Sequence, residues 1–126
     1  RPQRSAIINL GSLWSLGSHG KFSVYTASKG YNLRFSLSLT EASKDQVDVL
    51  AVCPGFVSTP MIEPYIVPNL FEENPDNVVE ESLKALGRKV WTTGTFLHKI
   101  VGLYAYYPIW MQNIVHKLIV KPNFKG

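Results

Sequence analysis

The sequence predicts an α/β fold built on a parallel sheet. Three observations carry that prediction. Two short apolar runs, residues 5–10 and 47–53, each end in a glycine-containing turn. A proline-free stretch of helical length lies between them, and a second helix and a third short apolar run follow the second turn. Strand, long helix, strand is the grammar of a parallel crossover, because parallel strands need a connection of a dozen or more residues. Length and composition agree. The chain has 126 residues, the size of one domain, and 45% apolar against 17% charged residues excludes a disordered polymer.

Ser5-Ala6-Ile7-Ile8-Asn9-Leu10 is apolar without alternation, as a strand buried on both faces is. Gly11, Ser12, Ser15, Gly17, Ser18, His19 and Gly20 then predict a flexible loop. From Ser23 to Ser43 two periods compete. Leu33, Phe35, Leu37 and Leu39 alternate as in a strand, yet the stretch runs longer than most strands without a proline. At helical spacing Leu33 and Leu37 fall on one side and Tyr31, Phe35, Leu39 and Ala42 on another, which predicts a helix buried on two sides. Val47 to Cys53 is the second buried strand, closed by Pro54-Gly55. Residues 56–75 hold Pro60, Pro64, Pro68 and Pro75 and predict a long loop with short helical turns, the kind that forms lids or binding loops. Asp76 or Asn77 can cap a helix running to Leu86 on Val78, Val79 and Leu83, with Gly87 ending it. Lys89 to Thr93 reads as a third strand.

The remainder, from Phe96 to Val120, is apolar and aromatic. Its longest uncharged run, Ile100 to Val115, is shorter than the roughly 20 residues a spanning helix needs, and Pro108 would kink it. Three readings stay open: a helical cap over an apolar pocket or an oligomer contact, an element lying on a membrane surface, or a span. The net charge of +4 is scattered, with Lys99, Lys117, Lys121 and Lys125 near the end. No basic stripe interleaves with aromatics, so no nucleic-acid partner is expected. The single cysteine, Cys53, excludes an internal disulfide and reads as core filler, compatible with a reducing compartment. His19, His98 and His116 lack metal-ligand spacing, so no metal is assigned. The first residue, Arg1, in place of Met suggests a processed, excerpted or truncated chain.

Chemistry concentrates at Tyr25 and Lys29, four apart and therefore stacked on one face of the predicted helix. An ammonium beside a phenol favours the ionised phenol and makes an acid–base device. Roughly one chain in five of this length carries such a pair by chance, so alone it is weak. Ser12 ends the first strand and Pro54-Gly55 the second. In an open parallel sheet ligands bind outside the carboxyl ends of the strands, so Ser12, the start of the long helix and Pro54-Gly55 are expected on one rim.

Asn9-Leu10-Gly11-Ser12, Tyr25-Thr26-Ala27-Ser28-Lys29 and Pro54-Gly55-Phe56-Val57-Ser58-Thr59 together resemble the short-chain dehydrogenase/reductase family, in its order and spacing. The match covers about residues 5–62; the rest is more loosely similar to the family's hydrophobic-substrate branch, the 17β-hydroxysteroid dehydrogenases and 3-oxoacyl-CoA reductases. The resemblance implies a partial Rossmann-like, doubly wound sheet. Residues 1–95 would be the C-terminal catalytic half and residues 96–126 an apolar helical tail. It implies Tyr25 as general acid or base, Lys29 as its partner and a ligand of the nicotinamide ribose, and Ser12 as donor to the substrate oxygen. Pro54 and Gly55 would let the backbone approach the nicotinamide, with Val57 and Thr59 at its carboxamide. The cofactor implied is NAD(P), with NADP expected, and the substrate a small hydrophobic ketone or alcohol. A homo-oligomer in the cytoplasm is expected, with membrane-surface contact through the tail as the open alternative. The family's Thr-Gly-x-x-x-Gly-x-Gly turn, its Asn-Ala-Gly segment and its catalytic Asn do not occur in these residues. These residues alone are therefore expected to bind a dinucleotide poorly. The competing reading is a non-catalytic remnant acting by association only.

Overall fold

The computed structural model describes residues 4–17, 20–43, 46–63 and 71–119, with only the backbone of Lys21 and Ile119. Arg1, Ser18, His19, Pro64, Pro68, Val120, Lys121 and Lys125, on which expectations were placed, lie outside the described residues. Strands β1 (Ser5–Leu10), β2 (Val47–Val52) and β3 (Trp91–Thr92) form one sheet in that order. Both pairings are parallel, Ser5 facing Val47 through Leu10 facing Val52, and Ala51 facing Trp91. Helix α1 (Ser23–Ala42) crosses from β1 to β2, and α2 (Pro75–Ala85) from β2 to β3. The tail follows as α3 (Phe96–Gly102), a 3₁₀ turn over Leu103–Tyr106 and α4 (Ile109–Ile119).

The central strand β2 shows why the fold is doubly wound. Side chains alternate across a strand. Ala51 and Cys53 pack with Leu33 of α1, backed by Leu37, while Leu50 and Val52 pack with Ala85 of α2 and with Leu86. Both faces are thus covered, as a continuous apolar run requires. Cys53 is fully buried, and burial pushes its thiol up from the ordinary cysteine range, in keeping with its reading as core.

Two expectations need correction. β1 is not buried on both faces: Ile7, Ile8 and Leu10 are 38%, 42% and 62% exposed. Among the described residues it is the edge strand, paired with β2 alone. Helix α1 forms over nearly the predicted residues, but only one side of it is buried. Leu33, Ser36, Leu37 and Thr40 make the inner stripe, and Tyr31 and Phe35 stack on each other in solvent, ring centroids 5.7 Å apart. Period 3.6 therefore prevails over the apparent alternation, because the buried Ser36 completes the stripe that Leu33 and Leu37 begin. Its small side chain accepts a hydrogen bond from Asn9 Nδ2 at 2.9 Å and holds the helix on β1.

Boundaries shift where local chemistry is stronger than the apolar pattern. Asn74, not Asp76 or Asn77, caps α2 by accepting from the Asp76 N–H at 2.8 Å, and Pro75 takes the first helical position, where no N–H is needed. Gly87 follows the helix with φ +71°, a left-handed conformation suited to glycine. The third strand is shorter than expected, and Gly94, at φ +82°, turns the chain into α3. Pro108 separates the 3₁₀ turn from α4, and no described helix is long and apolar enough to cross a membrane. The predicted loop after β1 contains 3₁₀ turns at Leu13–Leu16 and Gly20–Phe22.

Gly11 explains how β1 and β2 end so close together. Its N–H donates to Val52 O at 2.7 Å, and a Cβ there would stand 2.6 Å from Cys53 Sγ. Gly11→Ala is expected to destabilise the fold by about 1–3 kcal/mol through overpacking. Adding Cys53→Ala should recover most of that loss in urea unfolding. Equal stability of wild type and Gly11→Ala would contradict the contact.

Candidate active site

The rim is assembled by backbone continuity at the ends of β1 and β2. Leu13 N–H donates to Pro54 O at 2.9 Å, which ties the segment after β1 to the turn after β2. Ser12, nearly buried, caps the 3₁₀ turn by accepting from the Trp14 N–H at 3.2 Å, and Ser15 Oγ donates to its carbonyl at 2.6 Å. Helix α1 is moored to the same place. Lys29 Nζ and Asn32 Nδ2 both donate to Leu10 O, at 3.3 and 3.1 Å.

Tyr25 stands in the first turn of α1 with 43% of its surface exposed. Lys29 Nζ lies 5.8 Å from its ring centroid, within cation–π range, with a hydrogen bond to the backbone of β1. Ser12, Tyr25, Lys29 and Pro54-Gly55 therefore come to the carboxyl ends of adjacent parallel strands, where this architecture places ligands. Farther along, Val57 bridges to Glu73, with Ser58 N–H donating to Glu73 O at 2.9 Å and Glu73 N–H to Phe56 O at 3.0 Å. Thr59 acts through its backbone: its carbonyl accepts from the Ile62 and Glu63 N–H groups and opens the turn at 60–63.

Beside this rim lies an apolar cavity of about 420 Å³. Leu13, Trp14 and Phe56 form its floor, and residues of α3, the 3₁₀ turn and α4, including Val101, Tyr104 and Met111, form its roof. The tail is thus a cap over an apolar pocket. Gln112, nearly buried, fixes the roof across Pro108 by donating from Nε2 to Ala105 O at 3.2 Å and to Tyr107 O at 2.8 Å. Tyr104 donates its hydroxyl to Gln112 O at 3.2 Å, and burial pushes its phenol up to about 12, so it remains a hydroxyl through the physiological range.

Trp14 joins cavity and rim. Its ring meets Phe22, Phe56 and His116 at centroid distances of 4.7, 6.1 and 5.5 Å, and Tyr25 edge-on at 6.3 Å. No motif in the sequence marks Trp14, and His98 was weighed there only as a metal ligand. His98 is fully buried, with Nε2 3.0 Å from Phe56 O. A lone histidine in an apolar segment carries no local sign of such a bond. Among the described residues no group of three or more His, Cys, Asp or Glu side chains could hold a metal ion.

The family described as short chain dehydrogenase matches residues 1–66. The 17-beta-hydroxysteroid dehydrogenase type 3 of Homo sapiens is 32% identical over 110 residues, covering 86% of this chain and 35% of that protein. A 3-oxoacyl-[acyl-carrier-protein] reductase of Bos taurus is 42% identical over 62 residues, 48% of this chain and 26% of that one. A solved 7beta-hydroxysteroid dehydrogenase superposes with a TM-score of 0.73 at 18% identity, over 89% of this chain and 47% of its own. A short chain dehydrogenase from Burkholderia cenocepacia in complex with NADP gives 0.66 at 24% identity, over 94% and 48%. The last two establish likeness of fold. The chain spans about a third or less of the length of these curated relatives and about half that of the solved ones.

Proposed function

The chain belongs to the short chain dehydrogenase family, and from that membership we propose that the full protein is an NAD(P)-dependent oxidoreductase interconverting a ketone and a secondary alcohol on a hydrophobic substrate. The observation that carries this reading is the shared wall: the Trp14 ring borders both the half-exposed Tyr25 and the apolar cavity. A carbonyl held by an apolar body in the cavity would have its oxygen directed to the rim.

Tyr25 gives its hydroxyl proton to that oxygen during reduction and takes it back during oxidation. Ser12 Oγ already accepts from the Trp14 N–H, so its own hydrogen is left to donate to the same oxygen, where charge develops. Lys29 holds a positive charge beside the phenol. The residues present fit the nicotinamide–ribose end of a dinucleotide in that an ammonium and a phenol stand side by side for the ribose, on the rim shared with the Pro54-Gly55 turn. The Cβ that Gly55 lacks would face His98 Cδ2 at 2.8 Å, so that glycine makes room for the imidazole. Pro54 and Gly55 would let the backbone approach the nicotinamide, and Val57 and Thr59 would contact its carboxamide. When bound, the reduced nicotinamide would supply the hydride, with NADP the expected form. The NADP-bound relative supports that choice.

The test is turnover by the full-length protein with NADPH or NADH on a 3-oxoacyl thioester, a 17-ketosteroid and acetone. The apolar ketones should exceed acetone by about a hundredfold or more in kcat/KM, because each buried methylene contributes roughly 0.8 kcal/mol. Absence of ketone-dependent cofactor oxidation, or a preference for acetone, would overturn the proposal.

A further inference from the structure

His98 is built into its position by a chain of local choices. Cys53 N–H donates to Thr92 O at 2.7 Å and fixes the end of β3. Thr92 Oγ1 accepts from the Gly94 N–H at 3.1 Å, and the left-handed Gly94 turns the chain where a Cβ would press Val78 at 3.1 Å. Thr95 caps α3 by accepting from the His98 N–H at 3.3 Å. The imidazole is thereby delivered against the turn that follows β2.

There its Nε2 lies 3.0 Å from Phe56 O. A carbonyl can only accept, so Nε2 carries the hydrogen and donates it. The same oxygen accepts the Glu73 N–H at 3.0 Å, so both its lone pairs are used. The ring also supports the preceding residue: a Cβ on Gly55 would come 2.8 Å from His98 Cδ2. Among the described residues Nδ1 has no hydrogen-bond partner. A leucine of similar volume would fill the site without burying an unpaired nitrogen. What imidazole adds over leucine is the bond to Phe56.

We propose that His98 is a positioning residue for the Pro54–Val57 turn, holding the Gly55–Phe56 backbone at the height where the nicotinamide is to lie and registering the cavity roof, through α3, to that turn. The inference rests on the reductase reading, which gives the turn its role. Two amides report on the turn without any cofactor: Glu73 N–H, bonded to Phe56 O, and Ser58 N–H, bonded to Glu73 O.

The experiment compares wild type, His98→Leu and His98→Gln in the full-length protein, Gln having an amide nitrogen able to reach the same carbonyl. In His98→Leu, hydrogen exchange at Ser58 and Glu73 should quicken by about tenfold without cofactor, as one buried hydrogen bond is lost. Affinity for the preferred reduced dinucleotide should fall by about tenfold, while the nicotinamide-free fragment, ADP-ribose or its 2′-phosphate, binds within about twofold of wild type. His98→Gln should recover most of both losses. Unchanged exchange in His98→Leu, equal weakening of fragment and dinucleotide, or a His98→Gln no better than His98→Leu would overturn the proposal. If His98→Leu does not fold, His98→Gln is set against His98→Asn, whose shorter amide falls short of Phe56 O; equal behaviour of those two would also overturn it. Wild-type turnover in Tyr25→Phe would sink the reductase reading itself, whereas an inactive Tyr25→Phe beside a wild-type-like His98→Leu sinks the positioning role alone.

Discussion

Replacing Tyr25 with phenylalanine is expected to lower turnover in the full-length protein by about 100- to 10,000-fold, the range that a positioned proton donor contributes. The substitution removes one oxygen and little else. The ring keeps its edge-on contact with Trp14 at 6.3 Å and its place beside the Lys29 ammonium. Lys29 itself is moored to Leu10 O, so the cation stays where it is. Dinucleotide affinity, read by fluorescence titration, should change only by the one hydrogen bond proposed between the phenol and the ribose. Loss of kcat with near-normal cofactor binding is therefore the signature. Turnover within a few fold of wild type would mean that the proton comes from elsewhere.

The second large effect is on stability. Leu50→Ala is expected to cost about 2–5 kcal/mol, as large-to-small core changes do, out of a total of about 5–15 kcal/mol for a domain. Leu50 is wholly buried on the α2 face of the central strand, packed with Val52, Ala85 and Leu86. β2 is hydrogen-bonded to β1 on one side and β3 on the other, so its backbone cannot move in to fill the space. The midpoint of urea unfolding should fall with the slope unchanged. A loss under about 1 kcal/mol would show that this face can collapse on itself. Because β2 leads directly into Pro54-Gly55, the same change is expected to loosen the rim.

How much of this was legible depended on the distance over which each contact acts. β2 could be read from its own residues, because a strand covered on both faces is apolar throughout, and α1 could be read from its length. The rim residues Ser12, Tyr25, Lys29 and Pro54-Gly55 were legible because each lies in a short motif at the end of a regular element. The exposure of β1 was not, since an apolar strand looks the same whether or not a neighbour covers it. The cap at Asn74 was missed although Asn-Pro-Asp signals it, because the apolar residues of α2 begin only at Val78. His98 was missed for a deeper reason. Its partner is 42 positions away and is a backbone carbonyl, an acceptor every residue has. Trp14 is similar: its ring contact with Phe56 exists only once β1 and β2 have paired, and that with His116 only once the tail has folded back over the turn.

Among the described residues the outer edge of β1 is bare, and that has a practical consequence for handling the protein. A terminal strand offers a ladder of unmatched amide and carbonyl groups along one side, and here Ile7, Ile8 and Leu10 flank that ladder with greasy surface. Such an edge is adhesive: it templates further strands. Produced as these 126 residues alone, the polypeptide would recruit copies of itself into intermolecular sheets as its concentration rises, so the edge has to be shielded before the rim chemistry can be studied in isolation.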